Sequence, residues 1–335
     1  MRTILTAAKS VLIGAQVLAL GGWFWLYLES RPAAGPASAP VVFEVVKGKR
    51  VRSIADDLVA ARILPKRTPF LLRYQLFFAP HSIKAGEYQL PAPGRAAAVL
   101  DVLVKGRIYL HAVTVPEGLT GRETFPVFAA AGFGRDEDFE AAFGLTDDIA
   151  LWDPRATDLE GYLFPETYHL PKGIAAKDIL LAMTGQFKEA FGESGRRRAG
   201  ELGMTVREVV ILASLIEKET GLAEEKKLVS AVFHNRLRLG MKLDCDPTII
   251  YALKLEGPFE GRLRTKDLKF DSPYNTYLHA GLPPGPIANP GRESLEAALR
   301  PADADYLYFV SRNDGSHQFS RTLAEHRQAV KKYQN

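Results

Sequence analysis

Three regimes of hydrophobic patterning follow one another along the chain. From Val11 to Leu28 the run VLIGAQVLALGGWFWLYL carries no charge and one strongly polar residue, Gln16. Wound as a helix at about 1.5 Å per residue, it is long enough to cross roughly 30 Å of hydrocarbon. RPAAGPASAP (residues 31–40) is rich in Pro and Ala and reads as a linker. The second regime begins with a β-type run over 41–46. Apolar positions at Val51, Ile54, Leu58 and Ile63 then predict a helix over 51–64. A second helix over 65–78 places Phe70, Leu71, Tyr74 and Phe77 on one face, Pro80 closes it, and 86–90 returns as a strand. The outcome is a small β-α-α-β unit. A helix over 95–105 and a strand over 109–115 follow, then a mixed segment to residue 156. The third regime is mainly helical, with helices expected at 175–191, 205–220, 223–239, 294–299 and 322–333 and a strand at 306–311. Within it, SPYNTYLHAGLPPGPIANPG (residues 272–291) is a long loop with embedded aromatics, the kind that carries function in a compact domain.

Charge gives the first regime a direction. Arg2, Lys9 and the terminal amine precede the apolar run, whereas Glu29 partly offsets Arg31 after it. The positive-inside rule leaves the N-terminus in the cytoplasm and exports the rest, and Trp23, Trp25 and Tyr27 cluster as interfacial aromatics do. A cleaved signal peptide is the alternative, with Ala37-Ser38-Ala39 as a small-residue site. The apolar run exceeds the usual signal core of about 7–15 residues, and Pro40 would follow the cut, so a retained single anchor is expected.

The 335 residues suffice for two modest domains. A net charge of +4, with basic and acidic residues interleaved, describes a solvated surface and argues against a nucleic-acid partner. The single cysteine, Cys245, excludes an intrachain disulfide, and the scattered histidines form no metal-ligand spacing.

The candidate chemistry lies at the end of the most apolar helix. Thr205-Val206-Arg207-Glu208 is a capping box, and Gly221 is expected as the stop beyond the last turn. Almost every position from Val209 to Ile216 is apolar, so the helix should be surrounded by other elements. Two carboxylates then interrupt the pattern. At 3.6 residues per turn Glu217 shares a face with Val206, Val210 and Ala213, whereas Glu219 projects to nearly the opposite side, beside Leu212 and Leu215. One reading has Glu217 at the floor of a cleft, where partial desolvation favours the protonated acid and allows it to donate to a glycosidic oxygen. The other has both acids in an exposed last turn, paired with Lys218, Lys226 or Lys227.

Longer motifs bear on that choice. ASLIEKET, VFHNRLRLGMKLDCDPTIIYAL, SPYNTY, GLPPGPIANPG and ADYLYFVSRNDGSHQFS occur in that order, and together they resemble the endolytic murein transglycosylase family, also called YceG-like. VVKGKRVRSIADDL (residues 45–58) resembles the opening of a LysM module, a type that binds N-acetylated glycans; a purely structural scaffold is the alternative. The expected fold class is α+β, with an N-terminal transmembrane helix, a small LysM-like subdomain and a C-terminal lysozyme-like, lytic-transglycosylase-type catalytic domain. The expected limits are a cytoplasmic N-terminus at 1–10, an anchor at 11–28, a linker at 29–40, the LysM-like unit at 41–115, a connection at 116–156 and the catalytic domain at 157–335.

The resemblance implies cleavage of the MurNAc–GlcNAc β-1,4 bond inside nascent peptidoglycan strands, leaving 1,6-anhydro-MurNAc ends and limiting strand elongation. It assigns catalysis to Glu217, with Glu219 in support. A single acid suffices because the nucleophile is the substrate's own C6 hydroxyl. No metal or cofactor is required. Asn235, Asp246, Tyr274, Asn275 and Tyr277 are candidate sugar contacts, since amides can bond N-acetyl groups and tyrosine faces can pack on pyranose rings. Turn formation or loop packing is the alternative for several of them. Glu160 and Glu166 in EGYLFPETY could line the cleft or serve structural pairs. The expected partners are glycan strands, the lipid bilayer and, from the anchor's position, membrane glycan polymerases or penicillin-binding proteins. The rival function is a non-catalytic peptidoglycan-binding or assembly protein.

Overall fold

The computed structural model describes residues 13–24, 27, 39–79, 81–259 and 261–334. Residues 13–24 form a helix, α1, with every side chain exposed. The rest of the expected span (11, 12, 25, 26 and 28) and residues 29–38 of the linker lie outside the described residues. Among the described residues no helix is long and apolar enough to cross a membrane.

The chain divides into two compact units. One takes Met1–His111 with His169–Lys172, and the other Ala112–Tyr168 with Gly173–Asn335. In the first, β1 (Val41–Val45), α2 (Val51–Ala60), α3 (Thr68–Phe77), β2 (Gly86–Leu90) and α4 (Ala96–Val104) follow in order. β1 and β2 pair antiparallel, Val41 opposite Leu90 and Val45 opposite Gly86. Strand alternation turns Phe43, Val45, Tyr88 and Leu90 onto a core completed by Ile54, Leu58, Phe70, Val99 and Leu103. α2 ends short of the expected residue 64 because Arg62 adopts φ 57°, after which the Ile63 and Leu64 amides both return to the Leu58 carbonyl. β3 (Leu110–Thr114) pairs with β4 (Thr167–Pro171).

In the second unit the mixed segment contains two helices, α5 (Gly121–Ala130) and α6 (Asp136–Phe143). Pro126 inside α5 obscures the helical signal, yet Phe125, Phe128, Phe139 and Phe143 pack ring against ring. α7 (Ala176–Glu201) breaks just after the expected end at residue 191, and a second helical stretch follows the kink. Gly192 takes φ 61° and lets the chain re-enter the helix, and the buried positions beyond it include Gly195 and Ala199, too small to register as an apolar stripe.

α8 (Val206–Glu219), α9 (Ala223–Arg238), α10 (Asp246–Glu256), α11 (Arg292–Leu299), β5 (Tyr308–Ser311), β6 (His317–Ser320) and α12 (Leu323–Tyr333) complete the unit. α8 packs against α7, α9, α10 and α11, and Val209 through Ile216 are all buried, as the apolar run requires. Its start is the expected capping box. Its end differs from expectation: Thr220 turns out in an extended conformation (φ −141°, ψ 134°), so no left-handed glycine is used.

Candidate active site

Three loops converge on α8. Ser214, inside the helix, accepts a hydrogen bond at Oγ from the Ile287 amide at 3.1 Å. Gly161 (φ 84°) brings the EGYLFPETY loop so close that a Cβ would meet Pro286 at 2.6 Å and Val210 at 2.9 Å; no other residue fits there. Asn289 joins the loops to one another. Its Oδ1 accepts from the Leu163 amide at 3.0 Å, its Nδ2 donates to the Leu119 carbonyl at 3.1 Å, and its own carbonyl accepts from the Gly118 amide at 3.0 Å. Lys218, on the last turn of α8, donates to the Gly118 carbonyl at 2.9 Å.

Glu217 lies at the meeting point, its side chain 8% exposed. Its Oε2 accepts from the Gly291 amide at 3.0 Å and from Ser294 Oγ at 2.6 Å, both at the N-terminus of α11. Lys226 Nζ, on α9 and 4% exposed, stands 3.4 Å from the same oxygen. Among the described residues Oε1 has no hydrogen-bond partner. The two readings of the pattern are therefore combined: Lys226 is the partner that the exposed alternative named, but the pair is buried. Lys226 also stands 3.6 Å from Glu117 and 3.8 Å from Glu293, both of which reach solvent. Burial, reinforced by repulsion from Glu217, pushes the Glu117 carboxyl above its ordinary range.

Glu219 leaves α8 on the other side, as the helical spacing predicts. It lines a separate cleft of about 490 Å³ together with Asp246, Tyr277, Arg236, Tyr308 and His317. Burial raises its carboxyl to about 7, against a hydrogen bond from the Cys245 thiol that acts to lower it. Tyr277 donates through its hydroxyl to Asp246 Oδ1 at 2.7 Å. Asp246 occupies the first turn of α10, with Pro247 behind it at a position where a helix tolerates proline.

The remaining candidates also make contacts within the protein. Tyr274 packs against Tyr251 with ring centroids 5.0 Å apart. Asn275 is buried, donating from Nδ2 to the Leu268 and Phe270 carbonyls and accepting at Oδ1 from the Tyr277 amide. Asn235 donates to the Ala304 and Tyr306 carbonyls at 2.8 and 3.0 Å, tying α9 to the segment before β5. It also borders the larger cleft, about 810 Å³, with Arg155, Arg207 and Pro284. Glu217 lines neither cleft.

Glu160 is buried and accepts from the Gly121 amide at the start of α5 at 3.0 and 3.1 Å. Burial raises its carboxyl to about 8, and these hydrogen bonds only partly offset the rise. Glu166 is exposed and accepts from the Thr167 amide next to it. Sequence reasoning missed Glu117, Asn289 and Ser294. The only local signal was a Pro-Glu-Gly turn and a loop rich in Pro and Gly.

A family model described as the YceG-like family matches residues 43–332. An endolytic murein transglycosylase from Bacillus subtilis is 33% identical, the alignment covering 94% of this chain and 91% of that protein. One from Streptococcus pneumoniae is 26% identical over 97% of this chain and 65% of its own length. A crystal structure of a YceG-like protein from Listeria monocytogenes superposes with a TM-score of 0.59 at 29% identity, covering 87% of this chain and 99% of that one.

Proposed function

We infer the reaction from one premise: the chain belongs to the YceG-like family. It is an endolytic murein transglycosylase, a lyase that cuts the MurNAc–GlcNAc β-1,4 bond within peptidoglycan strands and leaves 1,6-anhydro-MurNAc ends. Glu217 is the acid that performs the cut. The observation that supports it is the unequal use of its two oxygens: Oε2 receives three donors, whereas Oε1 receives none among the described residues.

The protonated Oε1 gives its proton to the glycosidic O4, and the C1–O4 bond breaks with charge developing on the MurNAc ring. The C6 hydroxyl of that sugar attacks C1, and Glu217, now a carboxylate, takes the C6 proton as the anhydro ring closes. No water is consumed, and the tethered nucleophile avoids the entropy cost of capturing one. Glu219, with Asp246 and Tyr277 on the opposite side of α8, holds the sugars beyond the cut in a supporting role. Asn235, Tyr274 and Asn275 keep the walls in place.

The apolar run from Val11 to Leu28 anchors the protein in the cytoplasmic membrane with its catalytic part outside, beside the membrane glycan polymerases that extend the strands. The β-α-α-β order supports a LysM-like unit that carries glycan. Digestion of purified strands, followed by mass spectrometry of the ends, tests the reaction. The wild type should yield anhydro-MurNAc ends, and Glu217→Gln should lose at least about a thousandfold in rate while keeping its melting temperature. An undiminished yield from that variant would overturn the assignment of Glu217.

A further inference from the structure

Glu217 does not stand alone with one counterion. Lys226 Nζ lies within 4 Å of three carboxylates, carried by three different segments: Glu117 on the loop after β3, Glu217 at the end of α8 and Glu293 on the first turn of α11. One buried ammonium thus faces three carboxyl groups. The other ionisable groups nearby are turned elsewhere. Lys218 donates to the Gly118 carbonyl, Glu225 receives both the amide and Nδ1 of His317, and Arg292 lies over the Phe164 ring.

Glu117 is the more constrained of the two outer acids. Its carboxylate occupies the space where a Cβ on Gly291 would be, so it is wedged against the residue whose amide holds Glu217 Oε2. Its neighbour Gly118 is fixed from both sides, by Asn289 through its amide and by Lys218 through its carbonyl. An ammonium shared between two carboxylates, 3.4 Å from Glu217 and 3.6 Å from Glu117, attracts each less strongly than it would one alone.

We propose that Lys226 and Glu117 are positioning residues for the acid: Lys226 fixes Oε2 from within, and Glu117 offsets the ammonium so that Glu217 can both give and take a proton at Oε1. The inference rests on Glu217 being the acid of the reaction. Its signature is a pair of opposite displacements, because the two groups carry opposite charge and act on the same proton.

The test uses the full chain, purified glycan strands and the rate of anhydro-end formation from pH 4 to 9. Glu117→Gln leaves the ammonium less opposed, so the upper limb of the profile should move down by about one pH unit, with roughly a tenfold loss at neutral pH. Lys226→Met should move the same limb up, and Lys226→Arg should restore it. Profiles of unchanged shape in both Glu117→Gln and Lys226→Met, with Glu217→Gln inactive, would overturn the proposal while leaving the acid assigned. Activity retained in Glu217→Gln would instead remove the premise. If Lys226→Met loses its cooperative melting transition, Glu117→Gln decides alone, since its half-exposed side chain can be exchanged without emptying a core.

Discussion

Gly291 has an ordinary backbone conformation, φ −77°, so its need for glycine is steric. A methyl there would meet the end of the Glu117 side chain, which can swing away, rather than immovable backbone. Gly291→Ala should therefore cost little stability, less than about 1 kcal/mol, while reproducing the lowered upper limb expected for Glu117→Gln; melting curves beside rate–pH profiles would check both halves. Glu160 carries a different prediction. Its carboxyl is raised from 4.5 to about 8 in the fold, so folding favours the neutral acid. The stability this permits is complete below about pH 4.5 and is lost as pH rises through about 8. Urea unfolding should show Glu160→Gln close to wild type at pH 5 and more stable than wild type at pH 9, by on the order of a few kcal/mol.

At the scale of elements, α8 is a rigid post with chemistry at one end and a cap at the other. Thr205 Oγ accepts from the Glu208 amide, and the Glu208 carboxylate accepts from the Thr205 amide at 2.8 Å. Thr205→Ala should cost about 1 kcal/mol in urea unfolding and leave turnover per folded molecule unchanged, because the cap lies at the opposite end of the helix from Glu217. Asn289 differs in kind. Removing its side-chain amide leaves the Leu163 amide unpaired and takes one donor from the Leu119 carbonyl, in two loops at once, which costs roughly 1–3 kcal/mol for each group left unpaired. Two residues further on, Gly291 holds the acid. Asn289→Ala should thus lower both the unfolding midpoint and kcat, the second by more than the lost stability explains.

At the scale of the whole molecule, every contact of Glu217 belongs to the second compact unit. Deleting residues 1–38 should leave the rate on soluble strands within about twofold of the full chain and release the protein from the membrane fraction; a rate assay on both fractions measures this. A cut made later, after residue 115, should not give a folded catalytic piece. It removes β3, whose partner β4 would be left with an unpaired edge. The unit holding β1 and β2 also draws on His169–Lys172, well downstream in the chain.

Much of this was legible in the chain before any coordinates. Periodicities of two and 3.6 place β1, α2, α3, β2, α8 and α9 to within a few residues, because a local backbone repeat reaches solvent or core in a fixed rhythm. The same rhythm separates Glu217 from Glu219 on opposite sides of α8. Where side chains were small or the helix held a proline, as beyond Gly192 and in α5, the rhythm was silent. What the chain could not reveal was company. Glu117, 100 residues before Glu217, and Ser294, 77 after it, become neighbours only when loops and helices close upon α8. The capacity to exchange a proton comes from an acid's position in the sequence. Which oxygen is held, and against what balance of charge, depends on contacts between distant segments that only packing can bring within a few ångströms.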